Sequence, residues 1–80
     1  MPETEAVRMA AREAVKDIAG VQVDDEDSLV SSGLIDSLSI LNLIAKIERK
    51  LGIRLKTSGL QPDDFDNVEL IVETVLRAQA

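Results

Sequence analysis

The sequence contains no cysteine, histidine, tryptophan or tyrosine, and Phe65 is its only aromatic residue. Without cysteine the chain can form neither a disulfide nor a thiolate metal site. Without histidine it lacks the commonest general base and the commonest metal ligand, which argues against an enzyme and against a metal site. One aromatic side chain offers almost nothing on which nucleic-acid bases could stack.

Basic residues are also scarce, with 9 against 15 acidic residues and a net charge of −6. Such a chain repels nucleic-acid phosphates and anionic membranes, so we expect no nucleic-acid partner. No apolar run approaches about 18 residues, so we expect no membrane insertion. The N-terminus shows no basic region followed by an apolar stretch, so we expect no signal peptide and a cytoplasmic location. With 80 residues, the chain should be a single domain over 1–80, and we expect a monomer.

Helical periodicity marks three stretches of the chain, and almost nothing alternates with period two. We predict helices over 2–19 or 4–19, over 37–51 and from 67 onwards, with a single helical turn at 62–65. Three longer helices and one short turn predict an all-α fold, a small four-helix bundle with one core. The predicted inner faces are Val7, Ala10, Ala11, Ala14 and Ile18, then Ile40, Leu43, Ile44, Ile47 and Leu51, then Val68, Ile71, Val72 and Val75.

Residues that favour helix ends support these boundaries. Gly20 and Gly52 suit the exits of the first two helices. Asp36 suits the N-cap of the second helix. Asp66, with Glu69 three residues on, resembles a capping box at the start of the last helix.

A long acidic connection, Val21–Ile35, separates the first two helices, and loops of this length are usually functional. The run Asp24–Asp27 suggests a calcium loop, but such a loop needs glycine at its sixth place and glutamate at its twelfth. Leu29 and Ile35 stand there, so the run favours a solvated acidic turn, and we predict no metal ligands. We expect Leu29, Leu34 and Ile35 to hold the connection to the core.

The second helix has apolar residues on the side opposite its core stripe. Its outer face consists of Leu38, Leu41, Asn42, Ala45 and Arg49. A contiguous apolar patch beside a helix N-terminus is typical of a docking surface. Isolated exposed leucines are also ordinary in soluble proteins, so the pattern alone leaves both interpretations open.

Ser37 lies in the first turn of this helix, although Asp36 already supplies the cap. A phosphate attached to Ser37 would be stabilised by free backbone N–H groups and by the positive end of the helix dipole. A serine in a first turn is commonplace, so the position by itself does not indicate modification.

The surrounding string is more specific. Gly-Leu-Ile-Asp-Ser-Leu at 33–38 opens a helix that ends Ile-Glu-Arg-Lys-Leu-Gly-Ile at 47–53, and Pro-Asp-Asp-Phe-Asp-Asn-Val follows at 62–68. Over essentially the whole chain, this resembles the acyl carrier protein family, including peptidyl and D-alanyl carriers. The resemblance implies that Ser37 receives 4′-phosphopantetheine from coenzyme A through a phosphopantetheinyl transferase. It implies a thiol-ended arm that carries an acyl or aminoacyl group as a thioester, on a protein that is not itself an enzyme.

The resemblance also implies partners. An adenylating ligase or an acyltransferase would load the arm, and downstream transferases or synthases would take the cargo, helped by the high effective concentration that a flexible arm provides. Asp36 matches the family's motif aspartate, and Leu38, Leu41 and Ala45 match positions that partners read. The alternative is a non-modified helical interaction module that shares the fold and uses the same apolar face.

One feature departs from carriers of bacterial fatty acid synthesis, which usually have a strongly acidic second helix. Residues 46–56 hold five basic residues and one acid, Glu48. The helical wheel places Lys46 beside the outer face. The string at 33–38 is similar to those of D-alanyl and other stand-alone aminoacyl carriers, and of many secondary-metabolism acyl carriers.

Overall fold

Three α-helices and one short 3₁₀ helix make up the computed structural model, which describes residues 3–79. Helix α1 spans Thr4–Ala19, α2 spans Ser37–Leu51 and α3 spans Val68–Ala78, and the 3₁₀ helix spans Pro62–Phe65. α1 packs against both α2 and α3, and the 3₁₀ helix packs against α3 and α2. The all-α prediction is confirmed, although the possible start of the first helix at Pro2 lies outside the described residues.

Backbone geometry explains where α1 and α2 end. Gly20 and Gly52 adopt left-handed conformations with φ of 77° and 65°, which residues with a Cβ rarely adopt. The Gly20 N–H donates to the Lys16 carbonyl at 2.8 Å, and the Gly52 N–H donates to the Glu48 carbonyl. Beyond α2, the segment 53–59 is irregular as predicted, and within residues 3–79 its one strand-like contact is an isolated antiparallel bridge between Leu55 and Gln79.

The predicted inner faces of α2 and α3 are buried, except that Leu51 at the end of α2 is only half-buried, and that of α1 needs correction. Val15 is fully buried, although the predicted stripe omitted it, whereas Ile18 is only half-buried. Because α1 contacts two helices, its buried face is wider than a single stripe. The largest fully buried side chains are Phe65, Leu29, Ile35, Leu43, Ile47 and Ile71.

Two arginines of α1 form ion pairs, one with α3 and one with the acidic turn that follows α1. Arg8 donates to both carboxylate oxygens of Glu69 at 2.9 Å, and Arg12 donates to both oxygens of Asp25 at 2.7 and 2.6 Å. These arginines lower the pKa of Glu69 and of Asp25. Among residues 3–79, no group of three or more acidic side chains is arranged to hold a metal ion.

The predicted capping box at the start of α3 is wrong. The N-cap is Asn67, whose side chain accepts the N–H of Leu70 at 2.8 Å. Glu69 faces Arg8, and the Asp66 carboxylate faces the loop before α2. None of the helices in the part of the chain described here is long and apolar enough to cross a membrane.

Candidate functional site

The start of α2 places Ser37 at the surface of the bundle. Asp36 has an extended backbone, and its Oδ1 accepts the N–H of Ser39 at 2.8 Å, which confirms it as the N-cap. That backbone hydrogen bond is the largest influence lowering the pKa of the Asp36 carboxyl. Ser37 follows as the first helical residue and is exposed, and the first turn contains no acidic residue.

Hydrogen bonding distinguishes Ser37 from the serines that precede it. The Ser31 hydroxyl donates to Asp66 Oδ2 at 2.7 Å, and the Ser32 hydroxyl donates to the Ser28 carbonyl at 2.6 Å. Both hydroxyls are used to hold the loop. The Ser37 hydroxyl has no hydrogen-bond partner among residues 3–79, so its covalent modification would break no hydrogen bond among these residues.

The loop before α2 is anchored on both sides of its apex. Leu29 and Ile35 are buried as predicted, and the Ile35 N–H donates to the Leu29 carbonyl at 2.9 Å. The Asp66 carboxylate accepts the N–H groups of Val30 and Ser31 at 2.9 Å each. Nothing in the local sequence signals this contact, because it joins residues about 35 positions apart.

Leu34 does not anchor the loop, contrary to the prediction. Its side chain is 40% exposed, because the loop turns at Gly33, where φ is 81°. Leu34 therefore lies at the surface shortly before Ser37.

The outer face of α2 is open to solvent. Leu38 and Leu41 are 77% and 65% exposed, and Asn42, Ala45 and Arg49 are exposed as well. The structure therefore brings together a free serine hydroxyl and an apolar surface at one end of α2. The role of these residues in partner binding stays a prediction.

Lys46 does not belong to this outer face. It is half-buried, and its Nζ lies 4.0 Å from a carboxylate oxygen of Asp17 in α1. One residue further along a helix turns the side chain by about 100°, which carries Lys46 from the solvent side of Ala45 towards α1.

The family model described as the phosphopantetheine attachment site matches residues 10–75. The chain belongs to this family. The match covers most of the 80 residues and includes all of α2 and the 3₁₀ helix. No curated protein matches the chain.

Members of the phosphopantetheine attachment family receive 4′-phosphopantetheine covalently on a serine and act as carriers. The resemblance to acyl carrier proteins is thereby confirmed, as is the cofactor. Carriers of this family interact with a phosphopantetheinyl transferase and with biosynthetic enzymes, and their domains are in general not catalytic.

The first turn of α2 fits a phosphopantetheine group by its own chemistry. It combines an unbonded hydroxyl with the positive end of a fifteen-residue helix that has no acid inside its first turn. Asp36 remains ionised beside it, but the Ser39 amide partly neutralises that charge.

Proposed function

We propose that Ser37 is the attachment serine, and that the chain carries an acyl or aminoacyl group. The observation that supports this best is the exposed, unbonded Ser37 hydroxyl directly after the Asp36 cap. The thiol of the arm would hold the cargo as a thioester. An adenylating ligase or an acyltransferase would load it, and downstream transferases or synthases would receive it.

In this proposal the chain performs no catalysis. The sequence has no histidine and no cysteine, so the arm brings the reactive sulfur and partner enzymes bring the catalytic bases. We propose a cytoplasmic location, because modification uses coenzyme A. The outer face of α2, above all Leu38, Leu41 and Ala45, is the proposed contact surface for partners.

Intact mass spectrometry tests the attachment site. Incubation with coenzyme A and a broad-specificity phosphopantetheinyl transferase should add one phosphopantetheine to the wild-type chain and none to Ser37→Ala. Ser37→Ala should keep the fold, because Asp36 still supplies the cap, and circular dichroism checks this.

Ser39→Ala is the matched control, since it removes a hydroxyl two residues away and should leave the mass gain intact. Modification of Ser37→Ala would refute the assignment, and its loss in Ser39→Ala alone would move the site to Ser39. An unmodified wild-type chain would favour the non-modified interaction module.

A further inference from the structure

Four basic side chains, Lys46, Arg49, Lys50 and Arg54, lie along the second half of α2 and within three residues of its end. They divide into two kinds. Lys46 lies 4.0 Å from Asp17, and Lys50 lies 3.2 Å from Glu13, so α1 supplies carboxylates to both. Arg49 and Arg54 are exposed, and within residues 3–79 neither has a carboxylate oxygen within 4.0 Å. Two guanidinium groups are thus left unpaired in a chain with a net charge of −6.

These two arginines share one groove. It is lined by Ala45, Glu48, Arg49, Gly52, Ile53 and Arg54. The acid of the groove, Glu48, is engaged elsewhere, because its Oε2 accepts the N–H of Leu55 at 2.9 Å. The groove therefore offers two cations and a little apolar surface, which complements a carboxylate-bearing ligand.

The groove continues the outer face of α2 away from Ser37. Leu38, Leu41, Ala45 and Arg49 are spaced three and four residues apart, so they follow one another along one side of the helix. Arg49 lies twelve residues after Ser37, which corresponds to about 18 Å along the helix axis. A partner that receives an arm at Ser37 while contacting the leucines would reach Arg49 and Arg54 with the far part of the same surface.

We propose that the Arg49–Arg54 groove is a docking site for an acidic patch on the enzyme that loads this carrier, a proposal that rests on the function proposed above. That enzyme presents apolar side chains to Leu38 and Leu41, and carboxylates to the groove about 18 Å from the mouth of its active site. A protein fits this surface better than a nucleic acid, because the exposed leucines adjoin the cations. The groove thereby contributes to partner choice through charge as well as through shape.

The test compares two double neutralisations that change the net charge equally. Arg49→Gln with Arg54→Gln removes the unpaired cations, whereas Lys46→Gln with Lys50→Gln removes those already paired with α1. Each protein is first converted fully to its holo form, which the mass gain verifies. Its charging is then measured with the adenylating ligase that transfers a radiolabelled acyl or aminoacyl group to the wild-type holo chain, at low and at high salt.

At low salt, the variant Arg49→Gln with Arg54→Gln should have a kcat/KM about tenfold below that of the wild type, through a higher KM rather than a lower kcat. The difference should shrink at high salt. The variant Lys46→Gln with Lys50→Gln should have a kcat/KM within about twofold of the wild type. Equal charging of the arginine variant and the wild type would overturn the proposal. So would binding of the wild type to anionic vesicles or to a single-stranded oligonucleotide that depends on the same arginines. A wild-type chain that never gains the arm would instead refute the proposed function.

Discussion

Asp66 accepts four hydrogen bonds from the loop before α2, two from backbone amides and two from the hydroxyls of Ser28 and Ser31. Its Oδ1 accepts the N–H groups of Val30 and Ser31, and its Oδ2 accepts the Ser31 hydroxyl. These donors, the Ser31 amide first among them, lower the pKa of Asp66 from 3.8 to about 2. Because the pKa is lower in the folded chain than in the unfolded one, the carboxylate stabilises the fold above about pH 4. That contribution is lost as the pH falls towards 2.

Two substitutions of Asp66 should separate its charge from its hydrogen bonds. Asp66→Asn keeps an oxygen acceptor and should destabilise the chain moderately at neutral pH, whereas Asp66→Ala should destabilise it more. The Tm difference between the wild type and Asp66→Asn should shrink as the pH falls from about 4 to about 2. Amide hydrogen exchange at Val30 and Ser31 should be fastest in Asp66→Ala.

Asp63→Ala is the control for that series, since Asp63 is exposed in the neighbouring turn and its carboxylate makes no hydrogen bond among residues 3–79. It should leave the exchange of Val30 and Ser31 unchanged. A difference between the wild type and Asp66→Asn that stays constant across this pH range would contradict the role given to the charge.

Helix α2 has two apolar sides with different consequences for stability. Ile47 is fully buried near the centre of the inner side, whereas Leu38 is 77% exposed on the outer side. Removing a buried side chain loses both its transfer free energy and the contacts around the cavity left behind. An exposed leucine loses little of either, and alanine favours a helix at least as well.

Ile47→Ala should therefore lower the free energy of unfolding by about 2–4 kcal/mol. Leu38→Ala should change it by less than about 0.5 kcal/mol. For a domain of this size, each 1 kcal/mol corresponds to about 4–8 °C in Tm, so thermal unfolding resolves the two. Similar losses for both variants would mean that the two sides of α2 are wrongly assigned.

Local patterns were sufficient to predict α2, and long-range contacts explain where prediction from sequence failed. The period of its apolar residues, the Asp36 cap and the Gly52 exit all lie within the helix or next to it, and the structure confirms them. Asp66 and Asn67 are adjacent residues that both suit an N-cap. The choice between them depends on a loop about 35 residues earlier, which offers Asp66 better donors. No helix pattern contains that information.

The same reason explains why neither the pairing of Lys46 with α1 nor the groove was predicted. Which cations of α2 are paired depends on the carboxylates of α1, about 30 residues away. The sequence shows five basic residues between 46 and 56, but only the packing of α1 against α2 distinguishes Lys46 and Lys50, which have acidic partners, from the other three. The exposed positions of Ser37, Leu38 and Leu41 could be predicted without such a contact, because they follow from the pattern of α2 alone.

Charge is unevenly distributed over the whole molecule, which measures 30 × 24 × 18 Å. The exposed acids Asp24, Glu26 and Asp27 lie in the turn after α1, whereas the unpaired arginines lie at the far end of α2. A net charge of −6 therefore does not describe what a partner meets at the outer face of α2. Charge near the contact surface governs the rate of docking more than the total does.

This distribution predicts poor charging or turnover by enzymes of bacterial fatty acid synthesis, whose own carriers usually present an acidic second helix. A basic patch suited to such a helix would meet Arg49 and Arg54 as like charges, which slows association. Arg49→Glu with Arg54→Glu should raise kcat/KM with these enzymes, and more strongly at low salt, where screening is weak. The same variant should lower charging by the carrier's own ligase. Steady-state kinetics with both enzymes at two salt concentrations measures each effect, and Lys46→Glu with Lys50→Glu serves as the control of equal charge. Efficient turnover of the wild-type chain by the fatty-acid enzymes, unaffected by salt, would contradict the charge argument and make fatty acid synthesis the leading pathway.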